Sequence, residues 1–273
     1  MSTPAARVVI RAKDEAASIG RVLEILGTQT VARELEVVVV DSGSSDATVD
    51  IARSAGARVI EIPANTFTFG GALNTGLEGI EAPAGIALSA HSFPHDERWA
   101  ERMLEALEDE SVACACGYDS APDGSALTER LVQDRELARE FPLYGYSNNA
   151  GALRSELWRE RGFRADMPGT EDKEWAWHWL ERGRRTIVDP ALAVEHDHEH
   201  EPPLYHLKRA RREWCGLGMF LDLPAPSATE LAHSWWRDTA PYRSRTRARV
   251  SPKRAAKLGG WYLGLRDAQR LCA

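Results

Sequence analysis

The chain of 273 residues is long enough to bury a substantial core in one large α/β domain with a C-terminal appendage. Its hydrophobic fraction of 43% and charged fraction of 27% exclude intrinsic disorder as the main state, and its net charge of −7 argues against general nucleic-acid binding. The sequence has no signal-peptide pattern and no apolar run of about 18 residues, so we expect a cytoplasmic protein without a membrane span.

Apolar runs alternate with helical patterns from the start of the chain. The stretch "RVVIRAK" predicts a first strand, and apolar residues at helical spacing predict an amphipathic helix over 19–26. The β-branched run 37–40 predicts a second strand that is buried on both faces. We expect Asp46 to be the N-cap of the next helix and Gly56 to end it.

The same alternation continues through the first half of the chain. It predicts a strand over 58–62, a helix over 70–79, a strand over 85–90, a helix over 94–107 and a strand from Ser111. This order is typical of an α/β domain with a mostly parallel sheet. Ligands of such sheets bind at the carboxyl ends of the strands, so the polar stretches 11–15, 41–46 and 89–92 form the candidate site. No glycine-rich fingerprint follows the first strand, which disfavours a dinucleotide-binding unit and a P-loop.

Beyond residue 140 the alternation becomes weaker. We predict a strand leading into a helix capped by Ser155, a helix ending at Gly183, and a short strand before a histidine-rich loop. From Leu204 the chain is predicted to be helical and then basic and irregular. We therefore place a domain boundary near residue 203.

Five stretches together carry a family resemblance. They are "VVIRAKDEAASIGRVLEILGTQ", "EVVVVDSGSSDAT", "FTFGGALNTGLEGIEAPAGIALSAHSFP", "TEDKEWAWHWLERG" and "AVEHDHEHEPP". Over roughly residues 7–200 the chain resembles the inverting glycosyltransferases of family 2. The resemblance implies a GT-A fold, a Rossmann-like and mostly parallel central sheet flanked by helices. It makes 1–203 the nucleotide-sugar-binding and catalytic domain and 204–273 a helical, basic C-terminal extension.

The resemblance puts the nucleotide at the ends of the first two strands. Asp41 matches the family's aspartate that hydrogen-bonds the base, commonly uracil, and Arg11 lies beside it. A carboxylate at a strand end can accept hydrogen bonds from a base imide or from ribose hydroxyls, and the alternative for Asp41 is a turn or cap residue. The other nucleotide- and donor-binding residues that we predict are Lys13, Glu15, Gly70, Asn74 and Ser89.

The family's D-x-D motif is replaced here by Ser89, Ala90 and His91, so both of its carboxylates are missing. The related polypeptide N-acetylgalactosaminyltransferases use D-x-H, in which the histidine is a manganese ligand. A neutral imidazole binds first-row divalent metals, so we predict His91, His196 and His198 as ligands of Mn²⁺ or Mg²⁺. The alternatives are that His91 contacts the diphosphate or sugar directly or is structural, and that the later histidines lie in a solvated loop.

Glu171 and Asp172 match the family's E-D motif. In inverting members the aspartate is the general base for the acceptor hydroxyl or amine, and one carboxylate suffices because inversion is a single displacement. Glu171 is expected to orient Asp172 or to bind the acceptor. The alternative is that both acids merely favour the helix N-terminus. Trp175 and Trp179, one helical turn apart, are either an acceptor-stacking platform or part of the core.

The sequence thus predicts a metal-assisted, inverting glycosyltransferase that adds one sugar from a UDP-sugar such as UDP-GlcNAc to a soluble acceptor. The acceptor is a small molecule, a peptide or a carrier-protein-bound group, and the basic segment 237–257 favours an acidic carrier or a phosphorylated acceptor. One alternative is a non-catalytic nucleotide-sugar-binding GT-A protein, for which the missing carboxylates argue. The other is a metal-dependent nucleotidyltransferase or hydrolase. The sequence lacks the glycine-rich, phosphate-cradling loop that this alternative would need.

Overall fold

The structure is a computed structural model with two compact units. The described residues are 3–196, 201–239 and 251–272. The first unit takes in the described residues up to Asp166 and Asp172–His196, and it contains the sheet. The second unit takes in Met167–Glu171 and the described residues from Glu201 on, and it is helical.

The sheet of the first unit is mostly parallel. The strands are β1 (Ala6–Ala12), β2 (Leu35–Asp41), β3 (Arg58–Glu61), β4 (Ala84–Ser89), β5 (Phe93–Pro94), β6 (Val112–Cys116), β7 (Leu131–Gln133), β8 (Ala150–Arg154), β9 (Arg185–Val188) and β10 (Val194–Glu195). Among the described residues, eight strands form one sheet in the order β3-β2-β1-β4-β8-β6-β9-β7, and β5 pairs with β10. β8 is antiparallel to both neighbours and β7 is antiparallel to β9, while the other pairs in the sheet are parallel. The predicted fold class is confirmed.

Helices cover both faces of this sheet. They are α1 (Ile19–Gly27), α2 (Thr48–Ser54), α3 (Phe69–Leu77), α4 (Trp99–Glu105), α5 (Arg135–Glu140), α6 (Ser155–Glu160) and α7 (Glu171–Leu180), with 3₁₀ turns at Ala32–Glu34, Ala64–Thr66 and Pro190–Leu192. Because strand side chains alternate between faces, Val8 and Val9 of β1 belong to two different cores. Trp99 fills the first core and Trp175 the second.

Two helix starts predicted in the first half of the chain are wrong. Asp46 is not the N-cap of α2, because the helix begins at Thr48 with Ala47 as its cap. The Asp46 carboxylate nevertheless accepts the Thr48 N–H at 3.0 Å. The helix predicted over 94–107 begins only at Trp99, and Pro94, its predicted first residue, belongs to β5, which pairs with β10.

Other differences lie in the second half of the chain. Ser155 is the first residue of α6, and Arg154, which ends β8, is its N-cap. The segment predicted to be irregular contains a helix, α10 (Pro252–Leu271). β7 and α5 are absent from the sequence prediction because elements of 3 and 6 residues carry too little periodicity.

The second unit contains α8 (Pro203–Gly218), α9 (Ala228–Thr239) and α10. Glycines on α10 allow α8 to approach closely. A Cβ atom at Gly260 would lie 2.6 Å from the Ala210 Cβ, and one at Gly264 would lie 2.4 Å from the Arg211 carbonyl oxygen. No described helix is both long enough and apolar enough to cross a membrane.

Candidate active site

The polar loops after β1 and β2 are bonded to each other. The buried carboxylate of Asp41 accepts the N–H groups of Gly43 and Ser44, both at 2.9 Å, and also the Ser44 hydroxyl. Asp14, which has a φ of 54°, donates its N–H to the Ser44 Oγ at 2.8 Å and accepts the Ser45 N–H at 2.7 Å. These bonds fix the edge of the sheet at which adjacent parallel strands end.

Arg11 and Lys13 border the same edge. The Arg11 guanidinium donates to the Phe69 carbonyl at 3.1 Å and lies 5.3 Å from the centre of the Phe69 ring. Lys13 is exposed in the loop that follows β1. The start of α3 therefore holds Arg11 at the carboxyl end of β1, and its contact with the nucleotide stays a prediction.

Gly70 and Asn74 join α3 to the segment after α6. A Cβ atom at Gly70 would lie 2.6 Å from the Arg164 carbonyl oxygen, so only glycine permits this approach. The Asn74 amide donates to the Phe163 carbonyl at 2.8 Å, and its oxygen accepts the Phe163 N–H at 2.9 Å and the Trp158 indole N–H at 3.0 Å. These bonds give both residues a structural role, and their contact with a donor stays a prediction.

His91 lies two residues after the end of β4 and is bonded to the loop after β1. Its Nδ1 is 2.9 Å from Oε1 of Glu15, and the Ser18 hydroxyl donates to Oε2 of Glu15 at 2.8 Å. Burial opposes ionisation of Glu15, but the bonds from His91 and Ser18 outweigh it and hold its pKa below the usual value. In the tautomer in which Nδ1 donates to Glu15, Nε2 is an acceptor, and it lies 3.4 Å from the Ser89 Oγ.

The ring of His196 packs against the ring of His91. The two rings are stacked, with centroids 5.0 Å apart and an interplanar angle of 12°. The third predicted ligand, His198, lies outside the described residues. Within the part of the chain that the structure describes, no three His, Cys, Asp or Glu side chains are grouped to hold a metal ion. Any metal held here would therefore need ligands beyond these side chains.

The segment Gly145–Asn149, which we call the bridging segment, precedes β8 in the chain. It contacts both the end of β4 and the start of α7. The Asn149 carbonyl accepts the Ser89 N–H at 2.8 Å. The Asn148 N–H donates to Oδ2 of Asp172 at 3.2 Å. Two consecutive residues therefore contact the end of β4 and the carboxylate of the predicted base.

Lys173 holds the other end of the bridging segment. Its ammonium donates to the carbonyls of Tyr146 at 2.6 Å and Gly145 at 2.9 Å, and lies 3.4 Å from the Tyr118 hydroxyl. Burial opposes the charge, but Tyr118 and Asp172 outweigh it and raise the Lys173 pKa above its usual value. The sequence interpretation missed Lys173, for which the only signal was its position next to the E-D motif.

Glu171 is buried at the start of α7, in the second unit. The preceding Thr170 has a φ of 59°, and its hydroxyl lies 2.6 Å from the Gly169 carbonyl oxygen and 3.3 Å from that of Glu213 on α8. A Cβ atom at Gly169 would lie 3.0 Å from Cγ of Arg212. The turn leading into Glu171 is thus shaped by its packing against α8.

Comparison with known proteins identifies the family. Residues 7–168 match the model of Glycosyl transferase family 2, which is more than half of the chain. The chain belongs to glycosyltransferase family 2. The matched region includes the end of β4 but stops before Asp172. The sequence matches none of the curated proteins.

Solved structures similar to this glycosyltransferase share its fold. The mannosyltransferase PcManGT from Pyrobaculum calidifontis, in complex with GDP-Man and Mn²⁺, is 19% identical with a TM-score of 0.63, covering 99% of this chain and 74% of that chain. S. aureus TarS 1–349 in complex with UDP-GlcNAc is 14% identical with a TM-score of 0.55, covering 97% and 91%. Glucosyl-3-phosphoglycerate synthase from Mycobacterium tuberculosis, in complex with phosphoglyceric acid, is 19% identical with a TM-score of 0.59, covering 81% of each chain. These matches confirm the GT-A fold.

Trp175 and Trp179 of this glycosyltransferase belong to its core. Only 0% and 4% of their surfaces are exposed, and their ring centroids are 6.0 Å apart. The Trp175 indole N–H donates to the Arg161 carbonyl at 2.7 Å. Neither ring offers a face for stacking, so the acceptor-platform alternative is wrong and the core alternative is confirmed.

Proposed function

We propose that this glycosyltransferase moves one sugar, with inversion, from a nucleoside-diphosphate sugar to an acceptor, with Asp172 as the general base. The observation that carries the proposal is the bridging segment, whose adjacent residues contact Ser89 and Asp172. Because α/β sheets bind ligands at the carboxyl ends of their strands, this supports a base located beside the donor.

The proposed donor is a UDP-sugar such as UDP-GlcNAc. A carboxylate has about four lone-pair sites, and the described bonds to Asp41 use three of them. We propose that the fourth accepts a base imide N–H at the edge of the sheet that Arg11 and Lys13 border. Among the solved structures with similar folds, TarS was obtained with UDP-GlcNAc and PcManGT with GDP-Man, so both donor classes belong in the test.

A divalent metal, Mn²⁺ or Mg²⁺, fits the residues around His91. With Nδ1 bonded to Glu15, Nε2 on the other side of the ring is the proposed metal-binding atom, which is the usual arrangement of a metal-binding histidine. His91 would hold the ion together with His196 and the donor's diphosphate oxygens, and His198 is a further proposed ligand. When bound, the ion would stabilise the charge that develops on the leaving diphosphate.

The chain's own residues prepare the base. Oδ2 of Asp172 accepts the Asn148 N–H at 3.2 Å and Oδ1 accepts the Lys173 N–H at 2.8 Å, so the carboxylate has a fixed orientation. In the proposed step Asp172 takes the proton of the acceptor hydroxyl or amine as that group attacks the anomeric carbon. The bond from this carbon to the diphosphate breaks in the same displacement, which inverts the configuration. The role of Glu171, in orienting the base or binding the acceptor, stays a prediction.

The acceptor is proposed as a soluble small molecule, peptide or carrier-bound group. Most of the basic segment that favours an acidic carrier, residues 240–250, lies outside the described residues. Acceptor panels therefore need both acidic and neutral members.

The test is turnover of UDP-GlcNAc, UDP-glucose and GDP-mannose, each with and without Mn²⁺ and an acceptor panel. Release of the nucleoside diphosphate that depends on an acceptor, with an inverted product linkage by NMR, is the expected result. Tight binding of a nucleotide with neither hydrolysis nor transfer would instead support the non-catalytic alternative.

A further inference from the structure

Lys173 follows the proposed base directly, yet its charge is directed into the protein. We infer that Lys173 is a positioning residue, which holds the bridging segment so that Asp172 and the end of β4 keep their relative position. The inference rests on the proposed function, because it takes Asp172 as the base.

The hydrogen-bond capacity of Lys173 supports this role. An ammonium has three N–H donors and no acceptor. The carbonyls of Gly145 and Tyr146 and the hydroxyl of Tyr118 provide three acceptors within 3.4 Å. Burial raises the Tyr118 pKa above its usual value, against the opposing effect of the Lys173 charge. All three ammonium donors can therefore bond to protein acceptors. Lys173 would have to break one of these bonds to bind a substrate phosphate.

The two carbonyls that Lys173 holds are close in sequence to both site contacts. Tyr146 precedes Asn148 by two residues, and Asn148 donates to Asp172. The next residue, Asn149, accepts from Ser89. A shift of the Tyr146 carbonyl is transmitted through two residues to the base and to the end of β4.

The start of the bridging segment has a second anchor on β7. The Gln133 amide donates to the Tyr144 carbonyl at 3.3 Å, and a Cβ atom at Gly145 would lie 2.0 Å from the Gln133 side-chain oxygen. The rings of Tyr144 and Tyr118 are stacked with centroids 5.1 Å apart. Gln133 and the stacked tyrosines hold the start of the bridging segment. Lys173 holds the two carbonyls that follow.

Lys173→Met is the direct test, with the exposed Lys208→Met on α8 as its matched control. Tyr118→Phe removes one acceptor and keeps the ring, so it remains informative if the methionine variant does not fold. The readouts are hydrogen exchange of the bridging-segment amides, UDP affinity by calorimetry, and kcat and KM with the donor and acceptor found active in the panel. Lys173→Arg is included because a planar guanidinium keeps the charge but cannot reproduce the three bonds.

We expect faster exchange at the Asn148 amide and a kcat reduced on the order of 100-fold in Lys173→Met, with UDP affinity, which we assign to the ends of β1 and β2, within about twofold. Tyr118→Phe should show smaller changes in the same direction, and Lys173→Arg should not restore full kcat. Unchanged exchange, or loosened exchange with normal kcat, would overturn the inference. An inactive wild-type protein would contradict the proposed function instead, while exchange would still decide whether Lys173 orders the segment.

Discussion

Nδ1 of His91 lies 2.9 Å from Oε1 of Glu15, although the two residues are 76 positions apart in the chain. The pair links the loop after β1 to the end of β4. A carboxylate bonded to one ring nitrogen fixes the tautomer and directs the other nitrogen outward. In our proposal Glu15 therefore acts on the donor through His91.

Glu15→Gln should weaken this orientation without removing the ring. Mutating the hydrogen-bond partner of a metal-binding histidine typically lowers metal affinity or activity by about 10- to 100-fold. We therefore expect kcat/KM for the sugar nucleotide to fall by about that factor. Glu24→Gln, on the exposed face of α1, is the matched control and should leave kcat/KM unchanged. Equal values for Glu15→Gln and wild type would show that His91 needs no carboxylate partner.

The stability of the protein should depend on Glu15 ionisation in acid. Burial opposes its charge, but the bonds from His91 and Ser18 hold its pKa below the ordinary value of 4.5. A lowered pKa in the folded state contributes stability above the unfolded value, and this contribution is lost as the pH falls through the folded value. Urea unfolding at pH 6 and pH 3 should therefore show a smaller acid loss in Glu15→Gln than in wild type. A loss as large as that of wild type would contradict this assignment.

Asp172→Asn should abolish transfer and retain nucleotide binding. The amide keeps an oxygen for the Asn148 N–H but cannot take a proton, so we expect kcat to fall by about 100-fold or more. UDP affinity by calorimetry should match that of wild type. Asp50→Asn, exposed on α2, controls for the substitution itself. Near-normal turnover in Asp172→Asn would remove Asp172 from the mechanism.

Alanine substitutions at two glycines with positive φ distinguish the cost of backbone strain from the cost of steric crowding. Gly145 has a φ of 95° and Gly124 a φ of 85°, but only at Gly145 would a Cβ atom meet another group, the Gln133 amide. Gly124→Ala should cost about 1 kcal/mol of unfolding free energy, and Gly145→Ala about 2 kcal/mol or more. Urea unfolding measures both. Equal costs would mean that Gln133 moves aside freely.

The sheet was predictable where local pattern determines it. Val38, Val39 and Val40 are buried as their β-branched run predicts. The antiparallel direction of β8 could not be predicted, because an apolar run carries no information on strand direction. Nor could the pattern show that Pro94 lies in a strand, because β5 pairs with β10, which is distant in the chain.

The site was predictable only in part, for the same reason. His91 and Asp172 were predicted from motif order and their roles stay predictions, whereas the role that we infer for Lys173 depends on Gly145, 28 positions away in the chain. Asn74 matches the family pattern, yet its amide pairs with Phe163, 89 positions away. Contacts between residues distant in sequence arise from the fold, and a single sequence does not reveal them.

Removing the metal tests the remaining part of the proposal. In our proposal the donor's diphosphate oxygens complete the site of His91 and His196, so Mn²⁺ should bind more tightly when UDP is present. Chelation should lower turnover by about 100-fold or more, and added Mn²⁺ should restore it. His91→Ala should weaken Mn²⁺ binding measured by calorimetry, while His95→Ala, at an exposed position, should not. Turnover that survives complete chelation, with His91→Ala still impaired, would make His91 a direct contact of the diphosphate and exclude the metal from the mechanism.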